Sequence, residues 1–176
     1  MIRYNAEELF RMAESVERDG RQFYRQAAQA VDCPDLARLL NELADWEAKH
    51  EVRFAAMRAE LPESASRETG PGDPLEEHAA DYLQAFVDGK VFPGPSRTAG
   101  FEFPQLADPA AVLAYAIGRE KDTVVFFLTL QQQVPKFRGQ ERIQAIIDEE
   151  LKHVHILERK RREIRPADAA PGGQPR

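Results

Sequence analysis

The chain has 176 residues, 43% of them apolar and 31% charged, with a formal net charge of −6 and a pI near 5.3. That length suits one domain with a substantial core. The acidic balance argues against nucleic acid as a partner, because phosphate binding needs a basic surface. Cys33 is the single cysteine, which excludes an intramolecular disulfide and a cysteine-based metal site.

No window approaches the roughly eighteen uninterrupted apolar residues of a membrane span. The N-terminal stretch MIRYNAEELFRMAESVERDG is amphipathic and acidic, unlike a signal peptide. A cytoplasmic protein with no membrane partner is expected.

Four long helices and one short one are predicted. The first runs from about Asn5 to Ala30, where Asn5 and Glu8 form a capping-box pattern. Leu9, Phe10, Ala13, Val16, Gly20, Phe23, Tyr24, Ala27 and Val31 follow helical spacing on it. The second begins near Pro34, a residue suited to a first helical turn, and Pro62 stops it after Leu61. Cys33, just before it, reads as a small helix-end residue. Another long helix starts after Asp108-Pro109 and runs to about Gln133, ahead of Pro135. The last runs from about Gly139 to Ile164, and Pro166 ends it.

The connection between the second and third long helices, about 62 to 108, is long for a compact domain. Its Asp73-Pro74-Leu75-Glu76 signature starts a short helix over 74–88. A helix of about 26 residues is roughly 39 Å long, and joining two antiparallel hairpins end to end requires a crossing of that size. The expected architecture is all-α: a four-helix bundle with one long crossover, the ferritin-like arrangement. Residues 1–165 form one domain, and the tail 166–176 reads as disordered.

An offset of 103 superposes the chain on itself. Glu17 falls on Glu120, Glu47 on Glu150 and His50 on His153, and Asp45, Lys49 and Phe23 fall on Asp148, Lys152 and Phe126. The chain therefore reads as two helix hairpins related by a pseudo-two-fold axis. Within DWEAKH and DEELKH, the Glu and the His lie about 60° apart on one helical face. Asp45 with Lys49, and Asp148 with Lys152, point away and read as surface ion pairs. Glu17 and Glu120 are carboxylates inside apolar stripes. A buried carboxylate stays protonated, finds a partner or binds a metal.

One Glu-x-x-His alone is a weak signal. Two at one offset, each with a Glu 30 residues upstream, make a strong one. Glu17, Glu47, His50, Glu120, Glu150 and His153 are the candidate metal ligands. Four carboxylates carry about −4 formal charge, enough for two divalent cations, and the set has the pattern of a carboxylate-bridged di-iron centre. The competing reading is a metal-free bundle with hydrogen-bonded buried polar groups.

These residues, in ESVERDGRQFY, EAKH, AIGREKDTVVFF and ELKH, resemble the rubrerythrin-like branch of the ferritin-like di-iron carboxylate superfamily, over roughly 5–60 and 109–163. The resemblance implies two iron ions cycling between Fe(II) and Fe(III), with Zn(II) able to substitute. It also implies an oxidoreductase that reduces hydrogen peroxide, or oxidises Fe(II) with dioxygen or peroxide. Rubrerythrins proper carry a further Glu ligand where this chain has Thr123, and a cysteine-rich rubredoxin module that a single cysteine cannot build. A separate electron donor is therefore expected. Iron storage and a non-catalytic metal scaffold are the rival functions.

Among the other residues, Tyr24 lies two turns from Glu17 and either packs in the core, the plainer reading, or hydrogen-bonds a ligand or relays an electron. Glu51 reads as half-exposed, His78 and His155 as solvent-facing, and Trp46 as packing at a helix or subunit interface. The apolar run TVVFFLTL on the third long helix exceeds what one bundle face buries, so a homodimer is expected.

Overall fold

The computed structural model describes residues 4–63, 74–87, 108–134 and 139–164. They form five helices: α1 (Ala6–Ala30), α2 (Pro34–Ala59), α3 (Pro74–Val87), α4 (Pro109–Gln133) and α5 (Gln140–Ile164). The capping box at Asn5 forms as expected: its side chain accepts from Glu8 N–H, and the Glu8 carboxylate takes the Asn5 N–H, both at 2.9 Å. Asp108 caps α4 through the Ala110 N–H. The expected capping residue of α3, Asp73, most of the connection and the tail 166–176 lie outside the described residues. No helix among the described residues is long and apolar enough to cross a membrane.

α1 packs along α2, and α4 along α5, so the two hairpins of the repeat are the two halves of a ferritin-like four-helix bundle. The core is split in two. One cluster holds Leu9, Phe10, Phe54, Met57, Phe126, Phe127, Leu130, Ile143 and Ile146. The other holds Phe23, Tyr24, Leu36, Leu40, Leu43, Val112, Leu113, Ile117 and Leu157. α2 ends in the first cluster and α4 begins in the second, at opposite ends of the bundle. α3 lies between them in the chain and packs on α4 and α1. Leu83 is fully buried there, and the Phe86 ring sits 4.7 Å from Phe126. Tyr4 donates a hydrogen bond to Gln84, tying the α1 entrance to α3.

Gly139 opens α5 with φ 109°, a left-handed conformation that favours glycine. A Cβ there would also come 3.3 Å from Met57 Sδ. The start of α5 thus docks directly on the end of α2.

Candidate metal centre

Between the two apolar clusters lies a polar layer. Each long helix contributes to it from its middle: Glu17 from α1, Glu47 and His50 from α2, Glu120 from α4, Glu150 and His153 from α5. None is more than 3% exposed. The sequence places them there because each occupies the buried stripe of its helix, with buried positions one turn away on both sides. All six candidate ligands are brought together.

They form two overlapping groups. Glu17, Glu47, His50 and Glu150 each offer a donor atom within 4.8 Å of one another, and so do Glu47, Glu120, Glu150 and His153. The shared carboxylates are Glu47 and Glu150, one from each Glu-x-x-His. Each histidine turns Nδ1 inward. His50 Nδ1 is 2.7 Å from Glu150 Oε1, 3.7 Å from Glu17 Oε1 and 3.8 Å from Glu47 Oε2. His153 Nδ1 is 2.9 Å from Glu150 Oε2, 3.7 Å from Glu47 Oε1 and 3.8 Å from Glu120 Oε2.

Several of these atoms lack the hydrogen bonds that burial demands. Both oxygens of Glu17, His50 Nδ1 and Glu150 Oε1 are buried with no hydrogen-bond partner. The His50–Glu150 contact has ion-pair length without hydrogen-bond alignment. A buried unsatisfied polar atom costs about 1–3 kcal/mol, so several on one spot mark a place built for another partner. The donor set, carboxylate oxygens and imidazole nitrogens with no sulfur, suits iron or zinc. The residues present therefore fit a pair of divalent cations.

The electrostatics agree. Burial drives the Glu17 carboxyl well above the usual carboxylate range, and Glu47, Glu150 and Glu120 push it further. Glu120 is raised by burial and by Glu47 and Glu150, against a lowering contact from His153. Burial alone would lower the histidines. Contacts with Glu150 and Glu47 nevertheless lift His50 to about 10, and contacts with Glu120 and Glu150 lift His153 to about 11. Glu150, despite a burial that raises it, is held well below its usual value by the two histidines. The metal-free site recruits its own positive charge.

Around this layer are residues that helical spacing alone did not assign. Tyr24 donates a hydrogen bond to Glu120 Oε1, so it acts on a candidate ligand rather than only filling the core; burial, then Glu120, keeps its proton on. Glu149, missed in the sequence, meets His50 Nε2 at 2.8 Å and takes Arg53 Nη1 at 2.8 Å on its other oxygen. Trp46 lies flat on His153, ring centroids 4.9 Å apart and planes 9° apart, at a helix interface. Gly20 permits a close approach: a Cβ there would stand 3.5 Å from Glu47 Cδ and 3.3 Å from Arg119 Nη2. Its repeat partner, Thr123, is buried.

The remaining expectations divide. His78 and His155 are exposed, as expected. Glu51 is partly exposed, as expected, and Arg18 and Arg21 of α1 bind it at 2.9 and 3.0 Å. The surface pairs are corrected. Asp45 takes Arg25 of α1 at 2.5 Å instead of Lys49, and Asp148 accepts from Gln144 at 3.0 Å instead of pairing with Lys152. Asp45 is taken across the hairpin by an arginine of α1, and Asp148 by the residue one turn before it on α5.

The Rubrerythrin family model matches residues 8–87, which carry Glu17, Glu47 and His50. A crystal structure from Thermotoga maritima, described as a ferritin-like diiron-carboxylate protein, superposes with a TM-score of 0.65 over 93% of this chain and 98% of that one, at 20% identity. No curated protein matches the sequence significantly.

Proposed function

We propose that this chain, which has the ferritin-like fold and matches the Rubrerythrin model over residues 8–87, is a non-haem di-iron oxidoreductase that reduces hydrogen peroxide. The observation that carries this reading is the pair of buried donor groups sharing Glu47 and Glu150, with oxygens and a nitrogen left unpartnered.

Glu17 and His50 would hold one iron, Glu120 and His153 the other, and Glu47 and Glu150 would serve both. Bound there as Fe(II), the pair would supply the two electrons that hydrogen peroxide, with two protons, needs to give two waters. Zn(II) would occupy the same donors without that redox capacity. The chain's own part is positioning and exclusion. Two apolar clusters seal the layer above and below. Tyr24 holds Glu120 through a hydroxyl that keeps its proton. Glu149 holds His50 by its outer nitrogen. Electrons arrive from a separate donor, because Cys33 alone cannot build a second redox module. The protein acts as a homodimer through α4, where Val125 and Leu128 are 47% and 40% exposed.

Stopped-flow mixing of anaerobically Fe(II)-loaded protein with peroxide, and separately with dioxygen, tests the proposal. Peroxide should oxidise two Fe(II) per molecule reduced, faster than dioxygen does. Faster reaction with dioxygen would make the centre a ferroxidase, and bound Fe(II) inert to both would end the redox reading.

A further inference from the structure

Positions 46 and 149 are equivalent under the repeat (149 − 46 = 103). Each lies four residues before the histidine of its own helix, and the two do different work. Glu149 reaches across to the other hairpin and meets His50 Nε2 at 2.8 Å, while Arg53 Nη1 fixes its second oxygen at 2.8 Å. A carboxylate on the outer nitrogen sets both the rotation and the tautomer of a ligating histidine. With Nε2 engaged, Nδ1 is the nitrogen turned inward to the carboxylates, and it has no hydrogen-bond partner there.

His153 has a different neighbour. Trp46 stacks on its face, which sets the plane of the ring but grips neither nitrogen. Its surroundings are also more open. A cavity of about 280 Å³, lined by Trp46, Glu149, Lys152, His153 and Ile156, reaches His153 from the surface. His50 is 0% exposed.

We infer that Glu149 is a positioning residue that makes the two halves of the centre unequal: the Glu17–Glu47–His50–Glu150 half binds its metal first and more tightly, and the half under Trp46 binds second and exchanges through the Trp46 cavity. This rests on the two-metal reading above. A lost partner behind a ligating histidine weakens metal binding about 10- to 100-fold, and that range sets the expected separation. Trp46 is the only tryptophan, so its emission reports the His153 half without any label.

Calorimetric titration of the full metal-free chain with Zn(II), followed in parallel by Trp46 emission, tests this without recourse to activity. Two steps are expected, separated about 10- to 100-fold, with the emission change in the second. Glu149→Ala should weaken the first step into the second and leave the second unchanged. Glu149→Gln, whose amide oxygen still accepts from Nε2–H, should restore most of the separation. A merely structural role would weaken both steps alike and show no rescue. Equal steps, an emission change confined to the first, or equal weakening of both in Glu149→Ala would overturn the inference while leaving the two-metal centre standing. Failure to bind two Zn(II) at all would instead remove the two-metal reading, and this inference with it.

Discussion

Filling the centre with two divalent cations should expel between two and four protons per chain at pH 7. His50 and His153, held up to about 10 and 11 by the carboxylates around them, are imidazolium in the metal-free chain. Each must surrender its Nδ1 proton to become a ligand, which gives two. Glu17 and Glu120, both pushed well above the usual carboxylate range by burial and by Glu47, release up to one each. Four protons leaving for two divalent cations is a charge-neutral exchange. By linkage, each released proton makes binding more favourable by about 1.4 kcal/mol per pH unit, so the pair gains roughly 3–5 kcal/mol per unit.

The same groups set the metal-free stability. Each raised group stabilises the fold below its unfolded pKa and loses that contribution as pH rises through its folded value. For Glu17 and Glu120 the loss begins above the ordinary carboxylate range, and for the histidines it extends from about 6.5 to about 10–11. Glu150, held low, contributes above its unfolded pKa and loses that only in acid. Metal should therefore raise the melting temperature far more at pH 8 than at pH 5. Calorimetry in two buffers of different ionisation enthalpy counts the protons. Release of less than one proton with both metals bound would refute the electrostatic reasoning, since the histidines would already have been neutral.

Three further outcomes are expected. Arg58→Ala removes the partner of Glu14, which is 7% exposed and bound at 2.6 Å, and should cost about 1–3 kcal/mol in urea unfolding; no change would mean Glu14 finds water instead. Tyr24→Phe keeps the packing but strips the hydrogen bond from Glu120, and should destabilise the metal-free chain by a similar ~1–3 kcal/mol, with a loss below about 0.5 kcal/mol counting against that bond. Light scattering should give a dimer that Leu128→Asp converts to a monomer; a monomeric parent chain would remove the homodimer.

The helices were legible because of their apolar stripes and recognisable ends: a capping box at Asn5, a proline at 34 and at 109. The six candidate ligands were legible for a different reason. An offset of 103 that superposes two Glu-x-x-His motifs and two upstream glutamates carries register information that no single motif holds. What the sequence withheld was everything decided across helices. Helical spacing puts Tyr24 on the Glu17 face but cannot say that its hydroxyl ends on Glu120 of α4. Nor can it say that Arg25 wins Asp45 from Lys49. Glu149 was available in principle, since it lies one turn before His153 and is the repeat partner of Trp46. It stayed hidden because its target, His50, is on the other hairpin.

The central claim is a binuclear centre on six side chains, and metal stoichiometry tests it most directly. Elemental analysis of anaerobically Fe(II)-loaded protein, after removal of free metal, should give two irons per chain. Glu47→Ala and Glu150→Ala, which each strip a donor from both groups, should each reduce that to one or fewer. A plateau at one iron or none in the parent chain, or two irons retained in both variants, would contradict the account.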